Sequence, residues 1–193
     1  MNEQVIWYVA RSAGIVAWAL VTVSVLWGLA LSTRALGRQA PPAWLLDIHR
    51  FLGGLSVTFT GVHLLALVGD NYVYFGWREL FVPMASEWQP GPVAWGIVAF
   101  YLLIAVEATS LVMKKLPRRF WRWVHASSFG IYVLATIHGF TAGTDIGNGI
   151  YLWASVVSVQ LVAFLTVARL LIARRSKRRA SAPAPARTQV ASA

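Results

Sequence analysis

Four histidines are the only ones in this 193-residue chain, and they fall as two pairs, His49 with His63 and His125 with His138. Neutral imidazole is the commonest biological ligand for transition-metal ions, and it binds through one ring nitrogen. Each pair lies within its own strongly apolar segment, at separations of 14 and 13 residues. On a helix rising about 1.5 Å per residue, either separation spans roughly 20 Å. That is about two thirds of a ~30 Å hydrocarbon core. Two facing helices of this kind offer one histidine pair near each membrane face, an arrangement suited to two stacked haems with two imidazoles on each iron. Zero cysteines exclude disulfides, thiolate-bound iron–sulfur clusters and covalent haem attachment, so a haem here is held through histidine alone.

Helical phase treats the two pairs differently. Fourteen residues turn about 1400°, some 40° short of four turns, so His49 and His63 share a face. Thirteen residues fall about 140° short, so His125 and His138 share one only if the helix tightens locally, for instance near Gly130, or if the two haems are approached along different edges. Other uses of the histidines stay open. A single intramembrane histidine is often a hydrogen-bonded packing residue. A zinc or copper transport site wants carboxylates, thiolates or thioethers nearby. The one carboxylate deep in an apolar segment is Glu107, and neither histidine segment contains methionine. Small residues accompany the histidines: Gly53, Gly54 and Gly61, then Ser127, Ser128, Gly130 and Gly139. They would let a flat macrocycle approach, and ordinary helix packing uses them equally.

The elements that must position these residues are spanning helices. A chain that is 58% hydrophobic, with mean hydropathy +0.60, is too apolar for an ordinary soluble domain. The expected fold is an all-α integral membrane protein, a bundle of five transmembrane helices at about 5–32, 44–69, 92–114, 120–141 and 149–173. The ~10-residue alternation of a membrane β-barrel is absent. Residues 1–174 form the expected transmembrane domain, and 175–193 a basic, then Ala/Pro-rich, disordered cytoplasmic tail. The first segment has no basic patch before it and outruns a signal-peptide core, so it reads as a span.

Charge sets the orientation. The formal charge is +10, and every Lys and Arg except Arg11 and Arg78 belongs to one of three clusters. These are Arg34, Arg38 and Arg50; Lys114 to Arg122; and Arg169 to Arg187. The intervening loops carry mainly Asp70, Glu79, Glu87 and Asp145. The positive-inside rule then puts the N-terminus outside and the C-terminus in the cytoplasm, across the cytoplasmic membrane. With no groove-reading motif, the basic charge implies membrane lipid and no nucleic acid. His49 and His125 fall on the inner side, His63 and His138 on the outer. The loop from Asp70 to Pro92 crowds Tyr72, Tyr74, Phe75, Trp77, Phe81 and Trp88 among prolines, and reads as an interfacial connector rather than a substrate lid.

Over about residues 8–142 the chain resembles the ferric reductase-like transmembrane domain family. Relatives in that family include the membrane half of NADPH oxidases and the haem-binding subunit of the bacterial periplasmic methionine sulfoxide reductase system. The resemblance rests on Ala10-Arg11, His49-Arg50 with His63, Thr109-Ser110, the run Arg118-Arg119-Phe120-Trp121-Arg122-Trp123-Val124-His125, and Ile137-His138-Gly139. The 14 and 13 spacings are those of its two-haem members. It implies two non-covalent b-type haems with axial pairs His49/His125 and His63/His138. Superoxide-producing relatives carry a further histidine one turn beyond the outer ligand, where this chain has Leu67. They also have an additional first helix and a fused flavin–nicotinamide domain, neither of which is expected here.

Three arginines complete the expected cofactor site. Arg11, on the outer side of the first helix, is costly in the membrane unless paired, and it suits a propionate of the outer haem or snorkelling to the interface. Arg50 and Arg122 flank the inner histidines and suit inner propionates or a purely topological role. Glu107 suits a proton relay, a bond to an inner histidine, or a structural bond to Ser110 or another helix. The expected function is a di-haem redox subunit passing electrons across the membrane, with no substrate bound at iron. Its donor would be a separate cytoplasmic flavoprotein or quinol, and its acceptor ferric iron, oxygen or an external protein. A haem or metal carrier or sensor, or a structural subunit, is the alternative.

Overall fold

A chain in hydrocarbon must satisfy its backbone hydrogen bonds within each segment, and the described residues accordingly form helices and no strands. The computed structural model describes residues 3–33, 42–70, 75–145 and 147–180. Its α-helices are α1 (Glu3–Thr33), α2 (Pro42–Gly69), α3 (Trp77–Phe81), α4 (Pro90–Leu111), α5 (Arg118–Ala126), α6 (Ser128–Ala142) and α7 (Gly149–Ala180). Four of them, α1, α2, α4 and α7, contain stretches long and apolar enough to cross a membrane. The protein is therefore a multi-pass membrane protein.

The segment expected as one continuous helix over 120–141 is instead two, α5 and α6, meeting at Ser127. There the Ser127 amide bonds to the Val124 carbonyl three residues back, at 3.0 Å. The Ser127 hydroxyl donates to the same carbonyl at 2.6 Å. A serine hydroxyl competing for a helix carbonyl is a common cause of bending. An i→i−3 bond also winds the chain more tightly, gaining roughly 20° per residue over an α-helix. The turn at Ser127, three residues before Gly130, supplies a fraction of the roughly 140° that the 13-residue spacing lacks, and the change of direction between α5 and α6 accompanies it.

Helix α1 is the central post. It buries a stripe of Ala10, Ala13, Ala17, Val21, Val25 and Leu29, the i, i+3/i+4 pattern of one helix face. It packs on α2, α6 and α7, while α4 packs on α2, α5 and α6. The histidine-bearing helices α2 and α6 thus lie across from each other, flanked by α1 on one side and α4 on the other. The main apolar core joins Val21, Val25 and Leu29 of α1 to Leu103 and Val106 of α4, Ile131 and Tyr132 of α6, and Val162 of α7. Polar ties fix the packing: Trp18 Nε1 donates to Thr136 Oγ1 at 3.0 Å, Trp27 Nε1 to the Leu45 carbonyl at 2.9 Å, and the Tyr132 and Ser158 hydroxyls meet at 2.9 Å.

The connector before α4 folds back over the bundle. Phe75 and Leu80 are buried with Val93 and Ile97, against Leu64 and Leu67 of α2. Tyr72 and Tyr74 lie outside the described residues, as do Arg34, Arg38, Arg187 and the Ala/Pro-rich segment beyond Ala180. The boundary expected at residue 174 falls inside α7, which continues to Ala180.

Candidate functional site

Both histidine pairs meet across the bundle. The rings of His49 and His125 have centroids 5.9 Å apart at an interplanar angle of 74°. Those of His63 and His138 are 6.5 Å apart at 73°. A metal–imidazole bond is about 2.0–2.1 Å and a ring centre lies about 1.1 Å behind its nitrogen, so two imidazoles opposed across one ion sit roughly 6.3 Å apart. Both observed separations lie close to that value. Among the described residues no cluster of three or more His, Cys, Asp or Glu could hold a metal ion. Each pair could thus offer a metal at most two histidine ligands, a number that would suit an ion whose other positions are filled by a macrocycle.

The far side of each ring is held by a repeating device. His63 Nδ1 donates to the Ala10 carbonyl at 2.7 Å, and its ring lies against Gly14, where a Cβ would stand 3.0 Å from Nδ1. His138 Nδ1 donates to the Pro92 carbonyl at 2.8 Å, and a Cβ on Gly96 would stand 2.9 Å from both Nδ1 and Cε1. His49 Nδ1 leans on Ser24, 3.4 Å from its hydroxyl, and a Cβ on Gly28 would stand 3.3 Å from its Cε1. In each case the partner sits at position i of the flanking helix and a glycine at i+4. For His63 and His138 the carbonyl partner fixes Nδ1 as the protonated nitrogen and leaves the Nε2 lone pair for a metal, whereas the Ser24 hydroxyl can donate to His49 Nδ1 or accept from it. Glycine lets the ring approach the helix backbone. On α1 the two cradles are 14 residues apart, matching His49 and His63 on antiparallel α2.

The fourth position breaks the pattern. Fourteen residues beyond Gly96 stands Ser110, and its hydroxyl is buried without a partner. His125 Nδ1 and Trp121 Nε1 are likewise buried and unpaired, with the Trp121 ring stacked on His125 at 5.0 Å. Buried polar atoms of this kind are uncommon in folded proteins. All three lie at the His125 end of the bundle.

A cavity of about 310 Å³ surrounds the other pair, and Gly14, His63, Gly96 and His138 contribute to its wall. Arg11 and Asp145 line it too. Arg11 forks onto Asp145, with Nε donating to Oδ2 and Nη2 to Oδ1, while its guanidinium covers the Trp7 ring at 4.9 Å. The expected haem-propionate anchor is thus held in place by a carboxylate of the α6–α7 turn, with Nη1 left over among the described residues. Arg50 makes an exposed pair with Asp47 at 3.4 Å, and Arg122 is exposed and forms no ion pair among the described residues. Arg169 of α7 is close enough to His125 to act on it electrostatically. Sequence reasoning did not single out Arg169, the Arg11–Asp145 pair or the glycine cradles. Only the cradles left a signal, because Gly14 and Gly28 repeat the histidine spacing on the preceding helix.

The magnetosome protein MamZ of Magnetospirillum gryphiswaldense is 26% identical over 164 residues, covering 83% of this chain and 24% of that protein. The chain therefore spans about a quarter of the length of this relative. No solved structure matches. The model of the ferric reductase like transmembrane component family matches residues 13–136, a stretch that contains three of the four histidines and the glycines of all three cradles, and the chain belongs to that family.

Proposed function

We propose that this protein is a di-haem b electron-transfer subunit, carrying electrons across the cytoplasmic membrane. His49 and His125 ligate the inner haem, and His63 and His138 the outer. The observation that carries this reading is the pair of opposed imidazoles at each level, separated by the width of one ligated ion. Haem iron with both axial positions filled supplies outer-sphere, one-electron transfer. The chain's part is to hold the four rings, fix the tautomers of His63 and His138 through the Ala10 and Pro92 carbonyls, and exclude water from the outer pocket with Phe75 and Leu80.

In this account α5 and α6 together make a fifth crossing, the N-terminus is outside, and the basic ends of α5 and α7 face the cytoplasm. Arg11 offers its remaining nitrogen to an outer propionate, while Arg50 and Arg122 serve the inner one. A cytoplasmic flavoprotein or membrane quinol donates electrons, and ferric iron, oxygen or an external protein accepts them. The basic inner surface would attract an acidic flavoprotein.

The test is haem stoichiometry with a reduced-minus-oxidised spectrum of the purified protein. Two low-spin haems per chain are expected. His63→Ala or His138→Ala should remove one haem and stop transfer to an external acceptor, leaving the inner haem reducible. Either variant retaining both haem signals would refute the pairing, and a single labile haem would mark a carrier instead.

A further inference from the structure

Glu107 is the one acidic residue of α4, about one turn inside the C-terminal end of that apolar helix at Leu111, and an ionisable group within a membrane-spanning helix is costly and commonly functional. It has no hydrogen-bond or ion-pair partner among the described residues, so a structural bond to Ser110 does not explain it. Its carboxyl lies instead against the backbone of α2 at Gly53. A Cβ there would collide with Oε1 and stand 3.0 Å from Cδ and 3.3 Å from Oε2. Gly53 is one helical turn from His49. On the other flank, the antiparallel register of α4 and α6 is set by His138 against Gly96 and by Gly130 against Leu102. Carried five residues further, that register brings Glu107 within about a turn of the level of His125. The carboxyl is therefore wedged between α2 and α4 beside the inner histidine pair, and the missing side chain of Gly53 makes its space.

An electron arriving at that level adds a negative charge in a medium that screens poorly. A carboxylate a turn away repels that charge, and taking up a proton removes the repulsion. The other titratable or charged groups near this level are His49 on α2, Arg122 and His125 on α5, and Arg169 on α7, with Lys114 and Lys115 just beyond the end of α4. The Asp47–Arg50 pair is exposed at the α2 end. The two histidines are committed to the metal and the cations stay charged, so Glu107 is the group free to exchange a proton.

We propose that Glu107 couples proton uptake to electron entry, an inference that rests on the di-haem reading above. One electron from a reduced flavin or quinol on the cytoplasmic side reaches the inner level. One proton from cytoplasmic water binds the Glu107 carboxylate to give the neutral acid, and it leaves when the electron moves outward.

The experiment is a redox titration of the purified full-length protein at a series of pH values. The reduction equilibrium of the inner haem should shift by up to tenfold per pH unit, about 59 mV for one electron, over a limited pH range. The outer haem should change far less. Glu107→Gln should flatten the inner response and Glu107→Asp should keep it, while Gly53→Ala, which displaces the carboxyl, should move its pH range. Redox-difference infrared spectra of the wild type should show a protonated carboxyl forming on reduction, a readout that stands if the variants fail to fold. A pH-independent inner potential, or an unchanged slope in Glu107→Gln, overturns this coupling alone. Absence of haem overturns the di-haem reading with it.

Discussion

At the scale of single residues, the site depends on side chains that are missing as much as on those present. Gly96 and Gly54 make the contrast measurable. A methyl at Gly96 would press on the His138 ring at 2.9 Å, whereas nothing lies within 4 Å of one at Gly54. Overpacking of this kind costs about 1–3 kcal/mol. Gly96→Ala should therefore weaken outer-haem retention roughly 5- to 150-fold, and Gly54→Ala should leave haem content unchanged, as read from haem-to-protein ratios. Equal retention in the two variants would show that the cradle does not constrain the ring. The histidines themselves were plain in the sequence, because nothing else in the chain can ligate soft or borderline metals at matched depths. Their backbone partners were not, because a carbonyl acceptor leaves no trace in residue type. Gly14 and Gly28 could have been found from their shared 14-residue interval.

At the scale of elements, long apolar segments fixed α1, α2, α4 and α7 to within a few residues, since hydrophobic length is what spans a membrane. The break at Ser127 was hidden, because a serine pair inside an apolar run is compatible with a straight helix. Only the 13-residue histidine spacing hinted that the winding must tighten somewhere. The partner of Arg11 was also hidden, since Asp145 lies 134 residues away in the turn between α6 and α7. That pair ties α1 to the turn at the C-terminal end of α6. Asp145→Asn leaves a half-buried guanidinium without its counter-charge and should cost about 1–3 kcal/mol, the Arg11 side chain being one-third exposed. Thermal unfolding in detergent would show it, with Arg11→Gln/Asp145→Asn recovering part of the loss. An unchanged midpoint in Asp145→Asn would mean the pair contributes nothing to holding the elements together.

At the scale of the molecule, orientation follows from where the cations cluster, and the absence of native cysteine makes it simple to test. In single-cysteine variants, Ala85→Cys in the aromatic connector should react with a membrane-impermeant thiol reagent in intact cells, and Lys115→Cys only after lysis. The reverse pattern would invert the inner and outer assignments. The overall design is a frame in which α1 holds the two rings of α2 and α4 holds the His138 ring of α6 from behind, while His125 of α5 lacks such a hold. Its central claim is that each iron is clasped by two imidazoles set nearly at right angles, at 74° and 73°. Electron paramagnetic resonance of the oxidised, haem-loaded protein tests this most directly. The account predicts two highly anisotropic low-spin ferric signals, the signature of near-perpendicular axial imidazole planes, and no high-spin iron. A dominant high-spin signal, or signals from parallel imidazoles, would contradict it.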